Sequence, residues 1–191
     1  AYKMMDSPVG KLTLVAKESK LSAILWENDR PDRVRLGELQ ERNDSPVLLE
    51  TERQLNEYFA GERNRFELEF DFNGTAFQKK VWQALLTIPF GETRSYTEIA
   101  AQIGNIKAVR AVGAANGKNP ISIIAPCHRV IGASGALTGF AGGLKAKEIL
   151  LTLEGAGAMQ TVLGAPKKTV PKKRAARNTG AANQAVLFPS S

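Results

Sequence analysis

Alternating apolar and polar residues near the start of the chain predict a pair of strands. The alternation runs over residues 11–16 and returns over residues 21–26, and a side-chain period of two is what a half-buried strand requires. Apolar side chains then recur at helical spacing from Leu48 to Phe59, until Gly61 stops the pattern. This part of the chain therefore predicts a hairpin followed by a helix.

A third alternating run predicts another half-buried strand. Apolar side chains alternate with acidic ones from Phe66 to Phe72, which places the apolar side chains on one face. Asn73-Gly74 ends the run with a turn. We interpret the aromatic stripe as core, and residues 1–73, which contain no recognisable catalytic set, are predicted to form a small α/β domain.

From Thr75 onward the pattern becomes helical. Thr75 and Gln78 form a capping box, in which each side chain caps the backbone of the other residue, and it starts an apolar helical face. Ser95 and Glu98 form a second capping box, which starts a short helix that ends at Gly104. Both helices therefore have a defined beginning.

Another short helix is predicted over residues 107–115 and closed by Asn116-Gly117. Two short helices joined by a tight, glycine-containing turn are typical of a helix-turn-helix, whose second helix enters a DNA groove. The spacing alone fits any helical hairpin equally well. Beyond it we predict a buried strand-like run at Ile121–Ala125, a glycine-rich loop at 132–143 and a last helix at Leu144–Leu153.

Charge is distributed unevenly along the chain. Residues 1–73 hold 11 basic and 15 acidic side chains, a net −4; residues 74–155 hold 9 and 4, a net +5; residues 156–191 hold 6 and none, a net +6. A polyanionic partner would therefore dock on the C-terminal half and the tail, although an ordinary solvated surface carries such charge equally well. Residues 156–191 are rich in alanine, lysine, proline and glycine and are predicted to be a disordered basic arm.

Two features of the sequence limit the class of protein. Lys11, Lys17 and Lys20 interrupt the N-terminal apolar stretch, so no signal peptide or transmembrane helix is predicted, and the cytoplasm, or the nucleus of a eukaryote, is the expected compartment. The chain has one cysteine and one histidine, the neighbours Cys127 and His128. They cannot form an internal disulfide or complete a structural zinc site without carboxylates, so no metal or other cofactor is expected.

The Cys127-His128 pair is the strongest candidate for chemistry. A free thiol is mostly protonated near neutrality and needs a base to become a nucleophile. Adjacent side chains on a regular strand point to opposite faces, so direct contact is not assured, but Pro126 breaks the regularity and a bridging water can carry the proton. The alternative is a buried core cysteine, the commoner role of a lone cysteine.

The segment around this cysteine resembles that of the O6-alkylguanine-DNA alkyltransferases. Pro126-Cys127-His128-Arg129-Val130 is the signature of that family, and further motifs match it in the same order. The resemblance is strong over residues 75–155 and loose over residues 1–73. The other matching motifs are Phe77-Gln78, Val81-Trp82, Ile88-Pro89 with Gly91, Ser95-Tyr96, Arg110-Ala111-Val112-Gly113, Asn119-Pro120, Gly142-Gly143-Leu144 and Lys147-Glu148.

The resemblance implies a fold and a reaction. The fold would be an α/β N-terminal domain with a ribonuclease-H-like sheet and helix over residues 1–73, followed by a mainly helical, winged-helix-like domain with a helix-turn-helix over residues 74–155. The reaction would be direct-reversal DNA repair: irreversible, stoichiometric transfer of an alkyl group from O6-alkylguanine, and from O4-alkylthymine, to Cys127.

It also implies roles for three further residues. His128 would be the water-linked base, Glu154 the carboxylate that orients it, and Asn119 the hinge between the recognition helix and the active-site segment. On the residues alone, Glu154 is interpreted as a solvated acid at a helix end and Asn119 as part of an ordinary turn.

The implied partner is double-stranded DNA containing O6-alkylguanine, bound by a protein that is a monomer in solution and whose cooperativity on DNA is left open. The target nucleotide must leave the duplex, because stacking and pairing shield its O6. Arg110 would fill the vacated stack and Tyr96 would push the phosphate outward, while small side chains let the recognition helix, residues 107–117, approach the minor groove. The other predicted DNA contacts are Ala111, Gly113, Ala115, Asn116, Gly117, Lys118 and Arg129.

The predicted alkyl pocket is formed by Val130, Phe140, Ala141 and Gly142. Some relatives have a serine where this chain has Ala141 and a tyrosine where it has Phe140, and the zinc ligands that some members carry in the N-terminal domain are absent. Because Ala141 leaves more room, we hypothesise that larger O6 adducts or O4-alkylthymine are tolerated.

Two other classes of protein are alternative interpretations of the sequence. A DNA-binding regulator without chemistry would use the same helix-turn-helix, as alkyltransferase-like proteins that only bind lesions do, but those relatives replace the cysteine. A papain-like cysteine hydrolase needs a histidine distant in sequence, and His128 is the only histidine in the chain.

Overall fold

Three antiparallel strands and one helix form the first half of the fold. The computed structural model describes residues 1–156. β1 (Tyr2–Met5), β2 (Leu12–Lys17) and β3 (Lys20–Trp26) lie side by side in chain order, and α1 (Pro46–Phe59) packs against the sheet. The predicted hairpin and helix are confirmed, and β1 adds a strand that the alternation did not indicate.

The strand predicted at 66–72 is wrong as an element, although its apolar side chains pack as expected. The run pairs with β3 through one bridge, between Leu21 and Phe70, and its phenylalanines pack against the N-terminal core. Further along the same edge of β3, the amide of Ile24 donates to the carbonyl of Pro120 at 2.9 Å. The ladder therefore stops because the second half of the chain occupies the rest of this edge.

Four helices and two short parallel strands form the second half. Their bounds are α2 (Ala76–Leu85), β4 (Arg94–Ser95), α3 (Tyr96–Gln102), α4 (Val109–Gly117), β5 (Val130–Ile131) and α5 (Gly143–Leu153). Both predicted capping boxes are confirmed, at the starts of α2 and α3. The predicted helix-turn-helix corresponds to α3 and α4, which are joined through Gly104 in the left-handed conformation, with a φ of 76°.

The strand-like run predicted at Ile121–Ala125 is wrong, because this segment is a tight turn. The amide of Ala125 donates back to the carbonyl of Ile121 at 2.9 Å, and Ile123 has a φ of 74°, which a β-branched residue adopts only under constraint from its surroundings. Burial of the segment is as predicted. Its apolar composition indicated a buried position but did not distinguish a strand from a turn.

The two halves of the chain share a hydrophobic core. Ile121 and Leu150 from the second half pack in one cluster with Leu55 of α1 and with the sheet. A second cluster, around Trp82, lies among the helices and includes Cys127. The segment that leads to the cysteine is therefore held between the two clusters.

The described part of the chain ends at Ala156, which packs against Ile131 and Leu151. The rest of the predicted basic arm, residues 157–191, lies outside the described residues. Within residues 1–156, no helix is both long and apolar enough to cross a bilayer.

Candidate functional site

Cys127 lies at the start of a short 3-10 turn, Cys127–Arg129, which leads directly into β5. Its side chain is buried, with 2% of the residue exposed. The sulfur lies 3.9 Å from the hydroxyl oxygen of Ser122. The thiol is therefore a fixed internal group and not a reactive surface cysteine.

Asn119 closes the turn that precedes the cysteine. Its side-chain amide donates to the carbonyl of Ala125 at 2.7 Å, and its side-chain oxygen accepts from the amide of Ile121 at 3.0 Å. These two bonds replace backbone pairing inside the turn and join the end of α4 to the cysteine segment. The hinge role of Asn119 stays a prediction, and these two bonds are the contacts on which it would depend.

Arg33, from the N-terminal half, supports the same turn from behind. Its guanidinium donates to the carbonyl of Asn119 and to that of Ile24, the latter at 2.7 Å, and pairs with Asp29. Arg33 is buried, so its charge is balanced by the Asp29 carboxylate and its remaining donors are satisfied by backbone carbonyls.

The surroundings of Cys127 affect its pKa in opposite directions. Burial raises the pKa of the thiol, whereas hydrogen bonds from Asn119 and Ser122 and the positive charges of Arg33 and Lys147 lower it. The balance leaves the pKa above its ordinary value. The thiol therefore requires a proton acceptor before it can act as a nucleophile near neutral pH.

His128 is fully buried and is oriented by Glu154. Its Nε2 lies 2.8 Å from Glu154 Oε1, and its Nδ1 is buried with no hydrogen-bond partner among the described residues. Because a carboxylate only accepts, we assign the ring proton to Nε2, which leaves the lone pair on Nδ1. Burial lowers the pKa of His128, while Glu154 opposes the shift. The arrangement provides a neutral imidazole with one free basic nitrogen.

Glu154 is the buried acceptor for several groups. Arg129 donates to both of its oxygens, at 2.7 and 2.9 Å, and Tyr58 donates its hydroxyl to Oε1 at 2.6 Å. Burial raises the pKa of Glu154, but the hydrogen bonds from His128 and Arg129 outweigh it and hold the pKa far below its usual range. Glu154 is therefore a carboxylate near neutral pH.

Aromatic side chains from both halves build a wall beside the histidine. Phe140 lies edge-on to His128, with ring centroids 6.4 Å apart, and edge-on to Trp26 of β3 at 5.2 Å. A side chain at Gly142 would begin 2.6 Å from the Trp26 ring, so glycine is required there. Val130 is fully buried next to this wall, and Ala141 is half-buried.

Lys147 anchors the loop that carries this wall. Its buried ammonium donates to the carbonyls of Val130, at 2.5 Å, and Thr138, at 3.0 Å. Burial lowers the pKa of Lys147 to about 8. The Thr138 hydroxyl in turn donates to the Tyr96 hydroxyl at 3.2 Å, so the loop is tied both to α5 and to the start of α3.

The outer face of α4 carries the exposed members of the predicted DNA-binding set. Arg110, Ala111 and Lys118 are exposed, and Gly113 and Gly117 are half-buried. Tyr96, also half-buried, packs its ring close to Gly113. A small-residue surface with positive charge at both ends of the helix suits close approach to a phosphate backbone.

Three residues of the predicted DNA-binding set are instead buried. Ala115 lies on the buried face of α4, and its carbonyl accepts from the Trp82 indole at 2.8 Å. The Asn116 amide faces the Cys127 carbonyl at 3.4 Å. Arg129 uses its guanidinium on Glu154 and, at 2.6 Å, on the Ile88 carbonyl. These three residues are buried and bonded within the fold in this structure, and their contact with DNA stays a prediction.

Residues 1–73, in which the sequence shows no recognisable catalytic set, contribute supporting side chains to the site. Tyr58, Arg33 and Trp26 reach the cysteine, histidine and pocket segments from the N-terminal half. Ser122, which lies beside the sulfur, is part of the apolar run at Ile121–Ala125 and was not predicted as a site residue. The sequence around these residues does not indicate a part in the site. Tyr58 fits the apolar stripe of a helix, and Arg33 lies in a charged stretch that is typical of an exposed surface.

Two family descriptions match the chain. Residues 1–72 match the domain described as "6-O-methylguanine DNA methyltransferase, ribonuclease-like domain". Residues 76–156 match "6-O-methylguanine DNA methyltransferase, DNA binding domain". The predicted fold class, an α/β domain followed by a helical DNA-binding domain, is thereby confirmed.

Curated relatives and solved structures agree with these matches. The methylated-DNA–protein-cysteine methyltransferase of Mycobacterium tuberculosis is 53% identical over 80% of this chain and 91% of its own length, and the constitutive one of Bacillus subtilis is 46% identical over 80% and 94%. The crystal structure of Mycobacterium tuberculosis OGT in complex with DNA has a TM-score of 0.74 and 49% identity, covering 85% of this chain and 97% of that one. The identity, the coverage and the fold together show that the chain belongs to the methylated-DNA–protein-cysteine methyltransferases, enzymes of DNA repair by alkyl transfer.

Proposed function

We propose that Cys127 accepts one alkyl group from O6-alkylguanine in double-stranded DNA and is consumed in the reaction. The observation that carries this proposal is the buried His128, which directly follows the only cysteine of the chain and is held by Glu154. A buried imidazole with one nitrogen fixed by a carboxylate and the other free is arranged to remove a proton from a neighbouring group.

The proposed reaction begins with loss of the thiol proton. His128 takes this proton at Nδ1 through a bridging water, while Glu154 stabilises the imidazolium that forms. The thiolate then attacks the alkyl carbon, so that an S–C bond forms as the C–O6 bond breaks. The electron pair of that bond stays on the guanine, which takes up one proton to restore the normal base. The thioether has no proton to lose and no route back to a thiolate, so each molecule reacts once.

The damaged nucleotide is proposed to reach the sulfur by flipping out of the duplex. A buried thiol is inaccessible to a stacked base, and the relative from Mycobacterium tuberculosis has been crystallised in complex with DNA. In the proposed complex, α4 lies in the minor groove, Arg110 fills the vacated stack and Tyr96 displaces the phosphate. For this, the Thr138–Tyr96 hydrogen bond must open.

We further propose that Phe140, Ala141, Gly142 and Val130 receive the flipped base and its alkyl group. The absence of a hydroxyl at Ala141 favours larger O6 adducts and O4-alkylthymine as second substrates. The protein is proposed to act as a monomer, since one chain supplies every group named in the reaction.

Intact-mass measurement tests the proposal. The protein is mixed with a duplex oligonucleotide containing O6-methylguanine, and the same reaction is run with Cys127→Ser. We expect one added methyl group per protein, located on Cys127 by peptide mapping, one restored guanine per protein, and no transfer by the serine variant.

Other outcomes identify the competing functions. Tight binding of the damaged duplex without a protein adduct supports a lesion-binding regulator, and repeated turnover with loss of a peptide or ester bond supports a hydrolase. Methylation at any residue other than Cys127 also contradicts the proposal.

A further inference from the structure

Tyr58 brings the N-terminal half of the chain into contact with the carboxylate of the site. It lies near the end of α1 and is almost fully buried. Its hydroxyl donates to Glu154 Oε1 at 2.6 Å, across 96 residues of sequence. Its ring packs edge-on against Phe59 and Phe90, with centroids 5.4 and 6.3 Å away, so neighbouring side chains hold the hydroxyl in this position.

The oxygen that Tyr58 contacts is the one that His128 uses. Glu154 Oε1 accepts from Tyr58 at 2.6 Å, from His128 Nε2 at 2.8 Å and from Arg129 Nη2 at 2.9 Å. Three donors share the charge of one oxygen, so each one weakens the acceptor available to the others. The Tyr58 hydroxyl therefore competes with the imidazole as well as holding the carboxylate.

We propose that Tyr58 is a positioning residue of the alkyl-transfer site, which fixes Glu154 and limits how strongly Glu154 supports a proton on His128. This inference rests on the proposed function for its consequence in catalysis, but the contact and its effect on the imidazole do not depend on DNA. It gives the N-terminal domain a part in the chemistry that acts through Glu154.

The other charged groups around the pair are few and come from several elements. Glu154, Arg129 and Lys147 are the charges that act on His128. Tyr58 itself stays a neutral donor, because burial and the negative charge of Glu154 raise its pKa far above the ordinary value. Removing the hydroxyl consequently changes the hydrogen bonding of Glu154 without changing any charge.

The test is the titration of His128 in Tyr58→Phe, a variant that keeps the ring and removes only the hydroxyl. His128 is the only histidine in the chain, so its imidazole NMR signals are assigned without ambiguity. With one donor fewer on Oε1, the carboxylate supports the imidazolium more strongly. We expect the pKa of His128 to rise by about half a unit, a factor of about three in proton binding. The acid limb of the transfer rate should move to higher pH by the same amount.

Two controls separate this role from packing alone. Tyr2→Phe removes a hydroxyl from β1, away from the site, and should leave the titration unchanged. Replacing Tyr58 with 3-fluorotyrosine, a stronger donor, should move the pKa of His128 in the opposite direction. This protein tests the inference even if Tyr58→Phe fails to fold.

Two results test the proposed role of Tyr58 independently of alkyl transfer. An unchanged His128 titration in folded Tyr58→Phe, or in the fluorinated protein, would overturn the inference. Opposite shifts in the two proteins support it even if no alkyl transfer is detected, in which case the proposed function fails alone.

Discussion

Glu154 is the residue on which most of the buried polar groups converge. It accepts from the side chains of Tyr58, His128 and Arg129 in the absence of solvent. A buried carboxylate of this kind is favourable only while every partner is present, because each lost donor leaves an uncompensated group. Its role in stability can therefore be measured separately from its role in transfer.

The low pKa of Glu154 predicts a specific loss of stability in acid. A carboxyl whose pKa is lowered by folding contributes stability above its unfolded pKa, near 4.5, and this contribution is lost as the pH falls toward the folded value. Glu154→Gln should lower the free energy of unfolding at pH 7 by about 3 kcal/mol and should flatten its fall below pH 4.5. Urea unfolding at a series of pH values measures both effects.

Glu148→Gln, an exposed substitution on α5, is the matched control and should change neither quantity. If Glu154→Gln unfolds with the same pH dependence as the parent protein, Glu154 does not carry the buried charge inferred here.

Ala141 is the residue at which substrate size can be tested. Its side chain is half-buried between Phe140 and Gly142, and Gly142 in turn lies against Trp26, so a larger side chain at 141 cannot be accommodated by moving the backbone away. Ala141→Ser should slow transfer from O6-benzylguanine relative to O6-methylguanine by several-fold, a difference of about 1 kcal/mol. Single-turnover rates on both oligonucleotides give the ratio, and an unchanged ratio removes the hypothesis.

At the scale of elements, α5 holds the loop that carries Phe140 and Ala141. It does so through the buried ammonium of Lys147. Lys147 donates to two carbonyls, one on β5 and one at Thr138. The pocket is thus positioned by a helix on one side and by the Tyr96 hydroxyl on the other.

Lys147→Met should release the loop while preserving the length of the side chain. Freed of its anchor, the pocket is misplaced relative to the sulfur, and we expect transfer to slow by about tenfold or more, with faster amide exchange over residues 131–142. Lys145→Met, an exposed substitution on the same helix, should have neither effect. Equal exchange in the two variants would show that Lys147 does not hold the loop.

At the scale of the whole molecule, the two halves of the chain differ in charge. The N-terminal half carries a net −4 and supplies buried supports, whereas residues 74–155 carry a net +5, with Arg110 and Lys118 exposed at the two ends of α4. The polyanion-binding surface is therefore expected on the C-terminal half.

Removal of residues 157–191, which hold six basic and no acidic side chains, should weaken the salt dependence of DNA binding. If all six contact phosphates, the slope of log affinity against log salt should fall by about five, with little change in the rate of transfer from bound DNA. A full-length chain with these six residues changed to glutamine controls for length. An equal slope in all three proteins would exclude a DNA-binding role for the tail.

Much of the fold could be predicted because its signals are local. The capping boxes at Thr75 and Ser95 and the alternation of β2 and β3 depend on residues within one or two turns of each other. The run at 121–125 could not be assigned, since its turn is imposed by Asn119 and by packing against β3.

The sequence by itself determined the candidates for the nucleophile and its base, because Cys127 and His128 are unique in the chain and adjacent within a specific motif. Only the tertiary structure decided which side chains support them. Tyr58 and Arg33 meet the site across 96 and 86 residues, and Arg129 turns inward to Glu154. Such contacts depend on how the two halves of the chain pack together. Residues that meet in this way are far apart in the sequence, so no local motif or periodic pattern predicts the contact.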